Sequence, residues 1–597
     1  MKAVTSILLI GFLATVQAQK LKICSTYSNF NECQTLQKGN SEVSCQYAQD
    51  SIECAKRIQN GTADFGAISA ESALQMSVLQ WDDIAVVKQL RQNEVQNQEY
   101  DFASVVIVRK DITSLEGLKN KRYCHPGLFY TSSQKWTEYV MKYFERNVSL
   151  PLCQKDMSAV EIEVSSLSSF FGRSCRPGVW SFDPKEDADL KKKYSNLCSL
   201  CQSNCAYTKN SDSIGSNFGA HGQALDCLYQ EGDVTYVSKS DAIEYFKKGN
   251  GDDFRYLCPN KTLENVVNND NPCVWLTQPW KPIISSYKAK EQIETKLSTW
   301  ENTKNDDEWK QAVFKILTGD RYTMKTIYKD TVRNYISGKR PIPEANTYCN
   351  TEISWCTRND DEKQECDVIR AGGISTGVFP VISCHNPVQN GTIECMNNIS
   401  KNTSKFMGID SNYGYIARDI FNLQSALYFE TEEGEYSRAV VVVRDGSKYT
   451  NLKSLKGAQA CVPEFGGSTS VAFVNVGKQQ GFLNKKECKY GKIMEDFFGP
   501  SCAPGAQDAK HFFTGTNTPA NLCELCLKTE LNHPYQNFTD SFQNTNTNPT
   551  CDANENNRYY GNEGALRCLQ EQGDVAILEH QSLAGGFFLC FFHYTFS

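Results

Sequence analysis

The stretch FFGRSCRPG, Phe170–Gly178, returns later in the chain as FFGPSCAPG, Phe497–Gly505. Two further blocks repeat around it in the same order. NLCSLC at Asn196–Cys201 becomes NLCELC at Asn521–Cys526. ALDCLYQEGDV at Ala224–Val234 becomes ALRCLQEQGDV at Ala565–Val575. Chance does not keep order and spacing across three blocks, so the chain carries a duplicated lobe. Each position in one copy then has a counterpart in the other, and comparing the two shows which chemistry survives.

Outward from these blocks, both copies alternate short apolar runs with helical stretches. ASVVIV (Ala103–Val108) and AVVVV (Ala439–Val443) are continuous apolar runs, as expected of strands buried on both faces. LEGLKNKRYC (Leu115–Cys124) and LKSLKGAQAC (Leu452–Cys461) each read as a short helix and a strand, and GDVTYV and GDVAIL as a turn and a strand. Strands alternating with helices predict α/β lobes with mixed sheets.

The ends of the chain and its composition set bounds. Lys2, the apolar run Ile7–Val16 and the small residues before Gln19 read as a signal peptide over 1–18. That run is too short to span a bilayer. Lobes are expected at 19–340 and 349–597, joined by a linker at 341–348 within the proline-containing GKRPIPEAN segment. The last stretch, Ala584–Ser597, has no counterpart in the first lobe, and the second lobe is expected to be truncated. Twenty-six cysteines in so long a chain imply a disulfide framework formed in an oxidising, extracellular compartment. Sequons at Asn60, Asn147, Asn260, Asn390, Asn398, Asn402 and Asn537 are glycosylation candidates of a secreted protein. The net charge of −7, with charges interspersed, argues against a nucleic-acid partner. CxxC at Cys198/Cys201 and Cys523/Cys526 has the spacing of half a zinc site, but in this context disulfides are favoured. No nucleophile–base constellation, P-loop or dinucleotide fingerprint stands out, and the chain reads as a non-enzyme.

The repeated SCxPG, LCxLC, GALxCL-type and GDV blocks resemble the transferrin family, extracellular bilobal ferric-iron binders, and insect members most in general character. The cysteines Cys356, Cys366, Cys384 and Cys395 match that family's opening pattern. The resemblance implies two homologous lobes, each of two α/β subdomains with mixed sheets around a cleft, as in periplasmic binding proteins. It implies a monomer with no membrane span that meets a cell-surface receptor. It also implies pairing of Cys175 with Cys201, Cys124 with Cys227 and Cys461 with Cys568, and of Cys349 and Cys488 with cysteines of a missing tail. The remaining cysteines assigned to disulfides are Cys24, Cys33, Cys45, Cys54, Cys198, Cys205, Cys258, Cys273, Cys502 and Cys526, together with the four opening the second lobe.

Family sites hold Fe(III) with one aspartate, two tyrosinates, one histidine and carbonate. The choice is physical: a small trivalent ion prefers anionic oxygen, and it drives the deprotonation of phenols whose free pKa is about 10. Carbonate needs a helix N-terminus and a cation. Carried over by resemblance, the second lobe offers Asp410 in FMGIDSNYGYIA, Tyr436 before the AVVVV run, and Tyr560, two residues before Asn562 at the second tyrosine position. In the first lobe these positions fall on Ser69 (with Glu71 nearby), on Phe102 (with Tyr100 nearby) and on Ala220 or His221, while the histidine position falls on Lys281. The anion loops CHPGLFY and CVPEFGG lack the family's threonine and arginine, leaving Ser468 and Thr469 as anion-binding candidates. The reading is a secreted transferrin-like protein, its first iron site lost and its second partly kept, with Fe(III) and carbonate as ligands. The alternative is an extracellular interaction or immune protein on the same scaffold.

Overall fold

The computed structural model describes residues 20–38, 40–128, 137–149, 157–201, 205–207, 219–249, 251–319, 321–327, 331–341, 352–378, 380–388, 391–410, 413–428, 438–508, 519–528, 549–554 and 556–580. The chain forms two compact units, Met1–Thr351 with Val368–Val381, and Glu352–Asp367 with Ile382–Ser597.

The first unit is built on two six-stranded sheets. One contains β1 (Leu21–Thr26), β2 (Val43–Ala48), β3 (Phe65–Ala67) and β4 (Ile84–Gln92). The other contains β5 (Phe102–Arg109), β6 (Tyr123–Cys124), β7 (Val234–Ser238), β8 (Phe254–Leu257), β9 (Leu263–Asn265) and β10 (Leu276–Gln278). The chain then returns to the first sheet as β11 (Lys281–Ser286) and β12 (Tyr322–Thr326), giving the order β12-β4-β11-β3-β1-β2. The second sheet runs β6-β7-β5-β8-β9, with β10 paired to β5. Both sheets are mixed, with β1 parallel to β2 and β5 antiparallel to β7. Apolar side chains of β5 alternate between two cores: Val106 and Val108 face one, Val105 and Ile107 the other. A continuous apolar run in the sequence becomes a strand covered on both faces.

The second unit has a two-stranded sheet of β13 (Glu352–Trp355) and β14 (Val381–Cys384). It also has a three-stranded sheet, β15 (Ala439–Val443), β17 (Val575–Glu579) and β16 (Ala460–Cys461), in that order. β15 departs from the expectation of burial on both faces: Ala439 is exposed and Val440–Val443 are half-buried. Among the described residues β15 pairs only with β17, whereas β5 in the first unit has β7 on one side and β8 and β10 on the other. The same apolar pattern therefore reaches different burial because the neighbours differ.

The repeated motifs mark the point where each three-part joint closes. Cys124 at the end of β6 bonds Cys227, and Cys461 at the end of β16 bonds Cys568. The glycine of each GDV turn packs directly on that disulfide. A Cβ at Gly232 would stand 2.5 Å from Cys124 Sγ, and one at Gly573 2.4 Å from Cys461 Sγ. The following aspartate accepts the backbone N–H of Arg122 (2.9 Å) in one copy and of Gln459 (3.0 Å) in the other. The serine of SCxPG does the same for Tyr123 and Ala460. The CxxC cysteines are in disulfides, Cys198–Cys205 with Cys175–Cys201, and Cys523–Cys551 with Cys502–Cys526. The disulfide favoured for the Cys523/Cys526 CxxC is thus present, with Cys551, which the sequence did not single out, as the partner of Cys523. Cys24–Cys54, Cys33–Cys45, Cys258–Cys273, Cys356–Cys395 and Cys366–Cys384 are also bonded, while Cys488 is a free, exposed thiol.

The sequon asparagines Asn60, Asn147, Asn260 and Asn402 are exposed and Asn398 is half-buried; Asn390 and Asn537, like residues 1–18, lie outside the described residues. No helix among the described residues is long and apolar enough to cross a membrane.

Gly573→Ala forces a methyl group into the disulfide and is expected to cost about 1–3 kcal/mol. Gly373→Ala, at an open helical position with nothing within 4 Å of the added carbon, is expected to be neutral or mildly stabilising. Urea midpoints of the two variants check the contrast.

Candidate metal centre

In the second unit the strand-end loop after Cys461 is fixed from below by SCAPG. Val462 N–H donates to Cys502 carbonyl (3.0 Å) and Phe465 N–H to Pro504 carbonyl (2.8 Å). Ser470 Oγ donates to the backbone carbonyl of Glu464 at 2.9 Å, which holds that residue's backbone in place. Its Oε1 accepts the phenol of Tyr413 at 3.0 Å. Tyr413 is 3% exposed and closes a turn by donating its N–H to the carbonyl of Asp410 (3.0 Å). From the other side comes Tyr560, the residue before the helix Gly561–Glu571; Gly561 N–H donates to the carbonyl of Pro463 at 3.0 Å. Gly561 has φ +77°, a left-handed backbone that glycine adopts without strain.

Asp410 and Tyr560 are thus brought to one place, around the Tyr413–Glu464 pair. Asp410 is near enough to act electrostatically on both Tyr413 and Glu464, and Tyr560 on Tyr413. Burial pushes the Tyr413 phenol well above its ordinary pKa, and the Glu464 charge adds to the effect. Burial likewise raises Tyr560, with Glu464 contributing. The Glu464 carboxyl is raised by burial, against the opposing pull of the Tyr413 hydrogen bond and Arg358. Arg358 supplies the nearby positive charge. Its guanidinium donates to both oxygens of Glu362 at 3.1 and 3.3 Å, and it feels Tyr560 and Glu464. Tyr413 and Glu464 also line a cavity of about 430 Å³, with Thr392, Asp508 and Asp552 on its other walls. These donors are all oxygen, and most can be anionic, which fits a hard trivalent cation. Tyr413, Glu464 and Arg358 were not singled out from the sequence, and no spacing rule links them. Tyr436 lies outside the described residues.

The anion candidates sit at the start of the helix Ser468–Gln480. Ser468 Oγ donates to Glu579 Oε1 at 2.6 Å, and Thr469 is 2% exposed. Asn562, at the second tyrosine position, holds the same Glu579. Its Oδ1 accepts Glu579 N–H at 3.0 Å and its Nδ2 donates to Oε2 at 3.3 Å.

In the first unit each corresponding position has another task. Ser69 caps the helix Ala70–Leu79, accepting Ser72 N–H at 3.0 Å. Phe102 packs with Tyr139, Val140 and Leu276. His221 Nδ1 accepts Ser238 N–H at 3.2 Å, and Lys281 lies over the ring of Tyr322. Glu71 meets a cation of the chain itself. Arg340, whose side chain is fully buried, donates to Gln278 Oε1 (2.7 Å) and Thr137 Oγ1 (3.2 Å) and stands 3.9 Å from Glu71 Oε1. Gln278 Nε2 completes the link by donating to Glu71 Oε1 at 2.7 Å. Glu71 follows β3 of one sheet and Thr137 follows β6 of the other, so Arg340 ties the two halves of this unit together. Elsewhere Cys258, Glu264 and Cys273 converge within 4.8 Å, but both sulfurs are spent in a disulfide.

The Transferrin family profile matches residues 13–344 and 353–585. A transferrin from Blaberus discoidalis is 27% identical over 94% of this chain and 78% of its own length. One from Manduca sexta is 24% identical over 85% and 76%. The solved structure of transferrin 1 from Manduca sexta shares the fold, with a TM-score of 0.55 at 22% identity, covering 95% of this chain and 83% of that one. The chain belongs to the transferrin family, whose members are iron-binding and iron-transport proteins.

Arg340→Met leaves Glu71 buried without its cation. The expected cost is roughly 3 kcal/mol, read as a lower calorimetric transition of the first unit. Glu71→Gln combined with Arg340→Met recovers part of the loss.

Proposed function

We propose that this chain is a secreted ferric-iron carrier or sequestering protein whose site is retained in the second lobe and lost in the first. Asp410, Tyr436 and Tyr560 are the ligands of the retained site. The observation that carries the reading is that two segments far apart in sequence meet at the Tyr413–Glu464 pair: Tyr413 N–H donates to the Asp410 carbonyl, and Gly561, next to Tyr560, donates to the carbonyl of Pro463 beside Glu464, each at 3.0 Å. Hard oxygen donors in a partly dehydrated pocket select Fe(III) over softer or divalent ions. The metal must displace protons from the phenols, so uptake is proton-linked and weakens in acid.

Loss of the first site is supported by the work its residues already do: Ser69 caps a helix, Phe102 packs in a core and Glu71 faces Arg340. That lobe is a scaffold for protein contacts, such as a cell-surface receptor, and not a metal carrier. Exposed sequon asparagines support export and glycosylation.

Titration with ferric iron in bicarbonate buffer is expected to give a tyrosinate-to-iron charge-transfer band. Asp410→Asn and Tyr560→Phe should each weaken binding at least tenfold, about 1.4 kcal/mol, and Tyr436→Phe should reduce the band. Glu71→Gln should leave it unchanged. A titration without colour, or one indifferent to all three second-lobe changes, sinks the reading.

A further inference from the structure

Resting on that reading, we propose that the second lobe carries its own anion. Glu464 supplies the carboxylate that the family takes from carbonate, so iron capture at this site does not require carbonate.

Three observations lead there. First, the donors that hold an external dianion are missing from the strand-end loop. Pro463 stands where the family has threonine and offers neither a hydroxyl nor an N–H; Gly467 stands where it has arginine. Second, the start of the following helix already has a carboxylate. Glu579 takes the Ser468 hydroxyl at 2.6 Å and is held in place by Asn562. A helix N-terminus and its hydroxyls are what a carbonate would use, and here a side chain has taken them. An incoming dianion would meet two like charges, Glu464 and Glu579, with Arg358 engaged by Glu362.

Third, Glu464 is on that same loop, and its carboxylate reaches the donor group. It accepts the Tyr413 phenol at 3.0 Å and lies within electrostatic reach of Asp410 and Tyr560. Its backbone is held by the Ser470 hydroxyl on the Glu464 carbonyl and by the two backbone bonds that anchor the loop. A tethered carboxylate needs no association entropy to arrive, so it outcompetes a free anion of similar basicity.

The test uses the full-length apo-protein and ferric acetohydroxamate, which brings no carboxylate of its own. Iron is added in carbon-dioxide-free buffer and in buffer with labelled bicarbonate. Two signals are read: the charge-transfer band, and label retained with iron after gel filtration. The expected result is a band of equal affinity within twofold in both buffers, with no stoichiometric label. Glu464→Gln should weaken binding at least tenfold in the carbonate-free arm and regain part of it with bicarbonate. A band seen only with bicarbonate, with label bound one to one, overturns the inference and leaves the iron site standing. A band in neither buffer removes the iron site, and the inference with it. Near-ultraviolet circular dichroism checks that Glu464→Gln is folded. If it is not, Glu464→Asp, which shortens the reach by one carbon, should lose affinity by a similar factor. Unchanged carbonate-free binding in the folded variant overturns the assignment.

Discussion

The Cys461–Cys568 disulfide brings the second-lobe site together. Cys461 ends β16, and the loop that begins there carries Glu464. Cys568 lies on the helix that begins after Tyr560. One covalent bond therefore ties the loop to the helix. The Gly561–Pro463 hydrogen bond repeats the link at the helix start. Tyr560 and Glu464 are held close by the scaffold before any ligand arrives. The constraint extends to Gly573, because no side chain fits between the turn and the disulfide. This explains why the GDV block stands in both copies: it serves the brace, and both lobes have the brace.

Burial of charge then separates the lobes. In the first, Glu71 is answered inside the protein by Arg340 and Gln278. In the second, Glu464 and Glu362 both act on the Arg358 guanidinium, which is bonded to Glu362, and Asp410 acts on Glu464. In the first lobe the carboxylate meets a cation of the chain itself; in the second the carboxylates gather with tyrosines.

The scaffold was legible from the sequence because its rules are local and appear twice. The repeated blocks marked β6 and β16, the GDV turns and the joints between them. Asp410 and Tyr560 were proposed from the family resemblance, Tyr560 from its place just before the GALxCL-type block. Tyr413 and Glu464 were not. Tyr413 follows Asp410 on a turn, Glu464 sits in a loop, and only tertiary packing makes them a pair. Arg340 was hidden for the same reason: in a linker-like segment rich in proline and charge, nothing local says that its side chain is fully buried. The AVVVV run shows the opposite error. Its composition predicts burial on both faces, but burial is set by neighbouring strands, and among the described residues β15 has fewer of them than β5.

The strand-end loops show how one backbone frame was given two chemistries. CHPGL and CVPEF differ at two telling positions. In the first lobe His125 is fully buried; its Nδ1 accepts Gly127 N–H at 2.9 Å and its Nε2 bonds the Met141 carbonyl at 2.9 Å. The ring is therefore neutral and protonated on Nε2, and burial holds its pKa below the ordinary value. The bonds lock the loop onto itself, with Gly127 at φ +110°, a backbone conformation that penalises side chains. In the second lobe the histidine is Val462, which cannot make those bonds, and the glycine is Glu464. Losing the inward lock and the left-handed turn together lets that position carry a side chain. The side chain it carries is the carboxylate that meets Tyr413. At these two positions the first loop bonds inward and the second carries a carboxylate that meets Tyr413.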